Sequence, residues 1–195
     1  MRFVLIIFIV IGFLNSASAQ DFTSSALTAK QSYSSGNLEN TRFALQQMLQ
    51  SIDLISGKEV LKVLPESFGG MSAQSAADQV STGTGFAGVI IHREYRLEDK
   101  AASMEVISNS PLISSLNAML AMPFMGAGSN GDRMVTKIDG YKALIQKGSE
   151  DQKVTYDVQI PLGSTLITVK TENFTDDIQK LVSAIPVAQI AQKLN

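Results

Sequence analysis

Cysteine and tryptophan are absent from this 195-residue chain, and His92 is its only histidine. Without cysteine the chain forms no disulfide and offers no thiol nucleophile or thiolate metal ligand. One histidine is too few for the paired imidazoles of a typical transition-metal site. No serine-nucleophile motif and no convincing carboxylate pair is present. We therefore predict no enzymatic activity, no cofactor and no bound metal, and an enzyme built on scattered Asp and Glu residues remains the alternative.

Positive charge is scarce and does not cluster. The chain has 16 Lys and Arg residues against 18 Asp and Glu residues, a formal net charge of −2. No basic stripe or basic run is present, so the sequence does not have the electrostatic pattern of a nucleic-acid-binding protein. We expect no nucleic-acid partner.

Long hydrophobic runs are also scarce, and the one that occurs is Phe3 to Leu14. It follows Met1-Arg2 and precedes the small residues Ala17-Ser18-Ala19, a pattern that predicts a secretory signal peptide over residues 1–19. The run is shorter than the ~20 residues that a membrane-spanning helix needs, and no second span follows it. We predict export to the bacterial periplasm or cell exterior, because a disulfide-free exported chain fits a bacterial compartment.

The clearest secondary-structure signal is the strict alternation of apolar and polar residues from Val154 to Ile160. A period of two predicts a strand with one face on a core and the other towards polar surroundings. Four consecutive strands are predicted between Arg133 and Thr171. Asp139-Gly140 joins the first two and favours a type I′ turn, which needs positive φ at both central residues.

A second hairpin is predicted from Ala87 to Leu97 and from Ala101 to Ser108. His92 and Glu94 share the polar face of its first strand, and Arg93 shares the apolar face. One interpretation of His92 with Glu94 is an acid–base pair or a metal site, whereas alternating charged side chains are typical of a solvated sheet face. The fold class predicted is α+β with a mainly antiparallel sheet of about six strands.

Helical periodicity marks the N-terminal part, residues 22–65. Its apolar stripe predicts an amphipathic helix that ends at Gly57, and the segment as a whole predicts a helix or a helical hairpin packed on the sheet. The stripe consists of Leu38, Leu45, Met48, Leu49, Ile52 and Ile55. A dimerisation helix is the alternative, for which a sustained heptad with flanking charge pairs is lacking. Residues 66–85 are rich in Gly, Ser, Ala and Thr, and predict a long mobile loop. Residues 86–195 hold the sheet, one middle helix and two C-terminal helices, and residues 20–195 are expected to be a single domain.

Methionine recurs every three residues at Met119, Met122 and Met125. One interpretation is a flexible flap, because methionine adapts to irregular apolar surfaces. An apolar groove under segment 112–125 would accept a lipid-like ligand, and the lining residues we predict are Leu116, Met119, Leu120, Met122, Phe124 and Met125. Thioethers also bind Cu(I). Pro123 interrupts the helix between the last two methionines, so a Cu(I) site is the weaker alternative.

Four short motifs occur together: Leu64-Pro65 ahead of Gly69-Gly70-Met71, Arg93-x-Tyr95 in a strand, Ser110-Pro111 before the middle helix, and the run 137–143, Lys-Ile-Asp-Gly-Tyr-Lys-Ala. They resemble small exported bacterial proteins of uncharacterised function. Over about residues 60–185 the order of elements is similar to the PsbP/Mog1-like α–β–α sandwich. The resemblance brings no catalytic motif, and it implies a binding or assembly role, the role in which members of that fold group are mostly described.

These features predict a non-catalytic periplasmic or secreted binding or assembly module that acts through protein contacts. The alternative is a carrier of an apolar, lipid-like small molecule under segment 112–125. The first predicts an exposed apolar patch, the second a closed apolar pocket, and an enzyme would show titratable groups clustered in a cleft.

Overall fold

The structure is a computed structural model, and it describes residues 17–83, 88–122 and 132–194, with side chains from residue 21 onward. These residues form five α-helices, nine strands and one 3₁₀ turn at Ser75–Ala77. The helices are α1 (Ala17–Ser34), α2 (Leu38–Val63), α3 (Ile113–Leu120), α4 (Ile178–Val182) and α5 (Val187–Leu194). The strands are β1 (Ser67–Phe68), β2 (Met71–Ala73), β3 (Gln79–Thr82), β4 (Val89–Leu97), β5 (Lys100–Ile107), β6 (Arg133–Ile138), β7 (Tyr141–Glu150), β8 (Lys153–Leu162) and β9 (Thr165–Glu172).

All nine described strands belong to one sheet, and each of their pairings is antiparallel. The order along the sheet is β1-β2-β4-β5-β9-β8-β7-β6, and β3 pairs with β4 beside β2. The predicted α+β class with a mainly antiparallel sheet is confirmed. The expected number of about six strands is wrong, because three short strands precede β4.

Those three strands lie in residues 66–85, which the sequence predicted to be a mobile loop. Phe68 and Met71 flank the β1–β2 turn and are completely buried. Ala73 then pairs with Tyr95 and Val80 pairs with Ile91, so β4 orders both β2 and β3. The prediction failed because local composition carries no information about pairing with a strand that comes later in the chain.

The four strands predicted between Arg133 and Thr171 are confirmed as β6 to β9. Val158 and Ile160 are fully buried on the face that the alternation predicted to be apolar. Asp139 has φ 49° and Gly140 has φ 85°, the two positive values that a type I′ turn requires. Because every side chain in a strand changes face if the register slips by one residue, this turn fixes which face of β7 meets the core.

Helices cover both faces of the sheet. On one face, apolar side chains of α4, α5 and the C-terminal end of α2 join the larger core, among them Val60, Leu64, Leu181 and Ile190. On the other face, Leu116 and Leu120 of α3 pack against Leu144 and Leu166 in a smaller cluster. Leu144 and its neighbour Ile145 belong to different clusters because successive strand residues point to opposite faces.

Gly57 does not end α2, which continues to Val63. A Cβ at residue 57 would lie 2.5 Å from Cγ2 of Val89 and 2.7 Å from Cγ1 of Val80. The glycine therefore allows the helix to approach the sheet more closely than any other residue would. The prediction took glycine for a helix stop, whereas here it serves the packing of a helix interior.

The chain divides into two compact units, with the boundary between Ile55 and Ser56 inside α2, so the expected single domain over residues 20–195 comprises two such units. The first unit contains a helical hairpin of α1 and α2 up to Ile55. Gly36 has φ 76° in its turn, and Asn37 Oδ1 accepts a hydrogen bond from the Asn40 backbone N–H at 3.0 Å. Gly36 thus ends the first helix of the hairpin, and Asn37 caps the start of the second.

Residues 1–16 of the predicted signal peptide lie outside the described residues. No helix formed by residues 17–83, 88–122 or 132–194 combines the length and the hydropathy needed to cross a membrane.

Candidate functional site

The helical hairpin is built on small side chains. The residues it buries are Ser25, Ala29, Ser32 and Ala44. Two hydrogen bonds join its helices: Ser25 Oγ donates to Gln47 Oε1 at 3.3 Å, and Asn40 Nδ2 donates to Ser32 Oγ at 2.6 Å. The buried face of the hairpin therefore carries small side chains and not the large apolar residues of α2.

Those large apolar residues are exposed instead. Leu38 is 66% exposed, Leu45 48%, Leu49 62% and Ile52 47%; we call these four residues the α2 stripe. At about 100° per residue they fall within roughly 60° of the helix circumference. Among the described residues, eight of the twelve exposed large hydrophobic side chains lie between Leu27 and Ile55. The apolar surface of the described chain is thus concentrated on the hairpin.

The sequence identified this stripe correctly as one face of a helix, but the expectation that a core covers it was wrong. Met48 is half-buried, whereas the four members of the α2 stripe are open to solvent. Periodicity shows which residues share a face. It does not show whether another element packs on that face, and in this hairpin α1 packs on the neighbouring face of small residues.

Two charged residues border the α2 stripe. Arg42 and Asp53 lie on the same edge of it, roughly 50–70° from its centre by helical geometry. Within the described part of the chain neither side chain makes a hydrogen bond or ion pair. Partial burial raises the pKa of the Asp53 carboxyl above its ordinary value, because desolvation disfavours the charged form. The border therefore offers one unpaired cation and one unpaired, partly desolvated anion.

The most buried charge in the sheet unit is Arg93, which is 5% exposed. Its Nε and Nη2 donate to the two carboxylate oxygens of Asp78 at 2.9 and 2.7 Å, and its Nη1 donates to the Leu64 carbonyl at 2.9 Å. The bond to Asp78 is the main cause that raises the pKa of Arg93. Since the guanidinium is fully engaged, this pair joins the end of α2 to β4 and leaves no free charge for a ligand.

Tyr95 lies beside this pair and is completely buried, and its hydroxyl has no hydrogen-bond partner among the described residues. Burial raises the pKa of that hydroxyl, and the positive charge of Arg93 offsets the shift only in part. The sequence showed an arginine on an apolar strand face, which was the available signal for a buried ion pair. Asp78 could not be identified as its partner, because it lies in the segment taken for a loop.

The polar face of the sheet contains a shallow depression with a volume of about 210 Å³. His92, Glu94 and Arg96 line it from β4, and Lys170 lines it from β9. His92 Nε2 lies 3.7 Å from Glu94 Oε1. The other carboxylate oxygen of Glu94, Oε2, lies 3.2 Å from Arg96 Nη2. Glu94 and Arg96 thus neutralise each other on this face. No three His, Cys, Asp or Glu side chains among the described residues group as metal ligands.

The residues predicted to line an apolar groove are placed as follows. Leu116 and Leu120 are buried against the sheet, Met119 packs on the edge of the same cluster, and Met122 is 58% exposed. Phe124 and Met125 lie outside the described residues. In the described part, α3 fills the space above Leu144 and Leu166 with its own side chains. The lipid-carrier and Cu(I) hypotheses stay predictions, since part of the segment that would test them is not described.

The comparisons with known proteins identify no relative: no family model matches the chain, and no curated protein and no solved structure matches it.

Proposed function

We propose that this protein is an exported, non-catalytic binding or assembly module that acts through protein contacts, and that it docks its partner on the α2 stripe. One observation carries the proposal: Leu38, Leu45, Leu49 and Ile52 share one face of a regular helix, and all four are exposed. Contiguous apolar surface of this kind on a water-soluble protein typically marks an interaction site.

The exposed side chains of the α2 stripe retain free energy that burial in an interface would release. Full burial of a Leu or Ile side chain stabilises by roughly 1.5–3 kcal/mol. With about half of each side chain exposed, each residue of the α2 stripe retains roughly 1 kcal/mol that a partner could recover. Four such residues supply about 4 kcal/mol at the centre of an interface, a contribution that works against the cost of association.

Three features of the sequence support the same proposal. The leader pattern of residues 1–19 predicts export, the absence of cysteine fits a bacterial periplasm or exterior, and the layout resembles a fold group that is described mostly in binding and assembly roles. Arg93 is paired with Asp78, and Arg96 is paired with Glu94, so these charged groups offer little to a reaction. These points favour a protein-contact role over catalysis.

Site-specific photo-crosslinking in the exporting host tests the proposal. A benzophenone amino acid at Leu49 is expected to capture a protein, because Leu49 lies in the middle of the α2 stripe. The matched control is Phe43, which is 57% exposed on the same helix but roughly 120° away from Leu49 around it. Equal capture at both positions, or capture at neither, would contradict docking on this face.

The carrier of an apolar ligand is the second candidate. Its support is the methionine-rich segment itself, while the burial of Leu116 and Leu120 in the protein's own core weakens it. Native mass spectrometry of the exported protein separates the two candidates. A co-purifying lipid that is lost in a Met122→Ala variant would favour the carrier, and a ligand-free mass would favour the protein-contact role.

A further inference from the structure

We propose that the occupant of the α2 stripe is the α2 stripe of a second copy of this chain, packed antiparallel to it. The inference rests on the proposed function, because it names the partner of the same surface. It follows from the spacing of the stripe, from its charge pattern and from the preformed helix that carries it.

The spacing is that of a helix-pairing seam. Leu38, Leu45, Leu49 and Ile52 follow one another at intervals of seven, four and three residues, and the charged Arg42 lies between the first two on the border of the stripe. Apolar residues at spacings of three, four and seven share one helix face and can pack against a second helix with the same spacing, here over about two heptads. The seam therefore suits a helical partner whose apolar residues have the same spacing. The α2 helix of a second copy has that spacing.

The charge pattern makes the seam complementary to itself. A two-fold axis between Leu45 and Leu49 places Leu45 of one copy opposite Leu49 of the other. Arg42 and Asp53 lie at nearly equal distances on either side of that axis and on the same border of the stripe. An antiparallel pair thus sets Arg42 of each copy beside Asp53 of the other, twice, as an isologous interface requires. The parallel arrangement would set the two Arg42 side chains at the same level on opposite borders of the seam, and it would pair neither of them with Asp53.

The same pairing accounts for two unpartnered charges at once. Asp53 is partly buried without a cation, and Arg42 is exposed without an anion, among the described residues. Opposite charges on the rim of an interface give it register and orientation more than affinity. The four apolar residues supply the attraction, and the two ion pairs select the antiparallel alignment.

The seam is short, about 21 Å from Leu38 to Ile52 at 1.5 Å per residue. A free peptide of this length would have to fold as it binds. Here the hydrogen bonds of Ser25 and Asn40 already hold the helix against α1. Association therefore does not have to overcome the conformational entropy that is lost when a helix forms. We expect a reversible dimer with a dissociation constant in the micromolar range, on the order of 1–100 µM.

Sedimentation equilibrium of the exported protein over that concentration range is the first test. The wild type is expected to dimerise, and Leu49→Asp is expected to weaken association by at least about a hundredfold, since it places a charge in the apolar seam. Phe43→Asp adds the same charge to the same helix outside the seam, and it is expected to dimerise like the wild type. Circular dichroism verifies that both variants keep their helices.

Charge reversal tests the antiparallel alignment. Arg42→Asp alone and Asp53→Arg alone each set like charges opposite each other twice, and each is expected to weaken dimerisation roughly tenfold. Mixing the two variants restores both opposite-charge pairs and is expected to give a heterodimer. The double variant carrying both changes is likewise expected to recover the homodimer.

The outcomes separate this inference from the proposed function. A wild type that stays monomeric up to about 100 µM overturns self-association, and capture of a different protein at Leu49 would then leave the docking proposal standing. A dimer that survives Leu49→Asp overturns the interface, because the contact must lie elsewhere. Failure of the two single charge variants to rescue each other on mixing overturns the antiparallel alignment.

Discussion

Removal of the Asp78 carboxylate is expected to be among the most destabilising single changes in the sheet unit. The side chains of Arg93 and Asp78 are 6% and 11% exposed, and two short hydrogen bonds join them. In Asp78→Ala the guanidinium stays in place beside β4 with only the Leu64 carbonyl as a close acceptor. A buried charge that loses its partner costs about 3–5 kcal/mol. We expect a value near the lower end, about 3 kcal/mol, since water can reach the vacated site.

Glu66 supplies the matched control. Its carboxylate also lies near Arg93, at 3.6 Å, but its side chain is 81% exposed. Exposed ion pairs contribute about 0–1 kcal/mol because solvent screens them. Glu66→Ala therefore removes a negative charge near the same arginine at a small cost in stability. Comparing it with Asp78→Ala distinguishes the effect of burying the ion pair from the effect of losing one negative charge.

Urea unfolding followed by far-ultraviolet circular dichroism measures both variants. The free energies of unfolding are compared only between variants with the same m-value, the slope of the free energy against urea concentration. A change in the unfolded state is then not mistaken for a change in stability. A third variant replaces both partners, Arg93→Met with Asp78→Ala, and should recover much of the loss because no buried charge remains. The reasoning is refuted if Asp78→Ala and Glu66→Ala cost the same, or if the double variant is no more stable than Asp78→Ala.

Four further changes probe other parts of the chain. Gly57→Ala is expected to destabilise despite a gain of about 1 kcal/mol in helix propensity, because the new methyl meets Val89 at 2.5 Å and overpacking costs about 1–3 kcal/mol; a higher melting temperature would contradict this. Tyr95→Phe removes a buried hydroxyl without a partner, so its free energy of unfolding should be unchanged or higher by up to about 1 kcal/mol, and a marked loss would reveal an unrecognised hydrogen bond. Leu116→Ala should lower the free energy of unfolding by about 3 kcal/mol through a cavity beneath α3. If Leu116 lines a ligand groove instead, Leu116→Ala should alter the binding of a fluorescent fatty acid and should have little effect on the free energy of unfolding. His92→Ala should leave metal content unchanged and stability within about 0.5 kcal/mol, as measured by elemental mass spectrometry and urea unfolding, and a loss of bound metal would revive the metal-site hypothesis.

The C-terminal half of the sheet could be predicted because its signals are local. Alternation in β8 and the Asp139-Gly140 turn each depend on neighbouring residues only, and together they fix strands, faces and register. The strands β1 to β3 could not be predicted, because they are short and polar and become ordered only by pairing with β4. Phe68 and Met71 were the one local hint, as two large apolar residues in an otherwise polar stretch.

The buried ion pair shows a different limit. Arg93 was placed on the apolar face of its strand, and a charged residue there is a signal that some partner neutralises it. The identity of that partner depends on a contact between residues fifteen positions apart, through a segment whose course the sequence did not reveal. The sequence therefore placed the arginine on an apolar face, but the structure was needed to find Asp78.

The α2 stripe and strand β8 show most clearly what an apolar pattern can and cannot say. Both patterns identify the side chains that share one face, and in both cases the structure bears that assignment out. Val158 and Ile160 are covered by the core of their own chain, whereas Leu38, Leu45, Leu49 and Ile52 are not. Because α1 packs on the small residues of α2, the hairpin closes without its most apolar face. An amphipathic helix whose apolar face remains open after folding is complementary to another such helix, and every copy of this chain presents one.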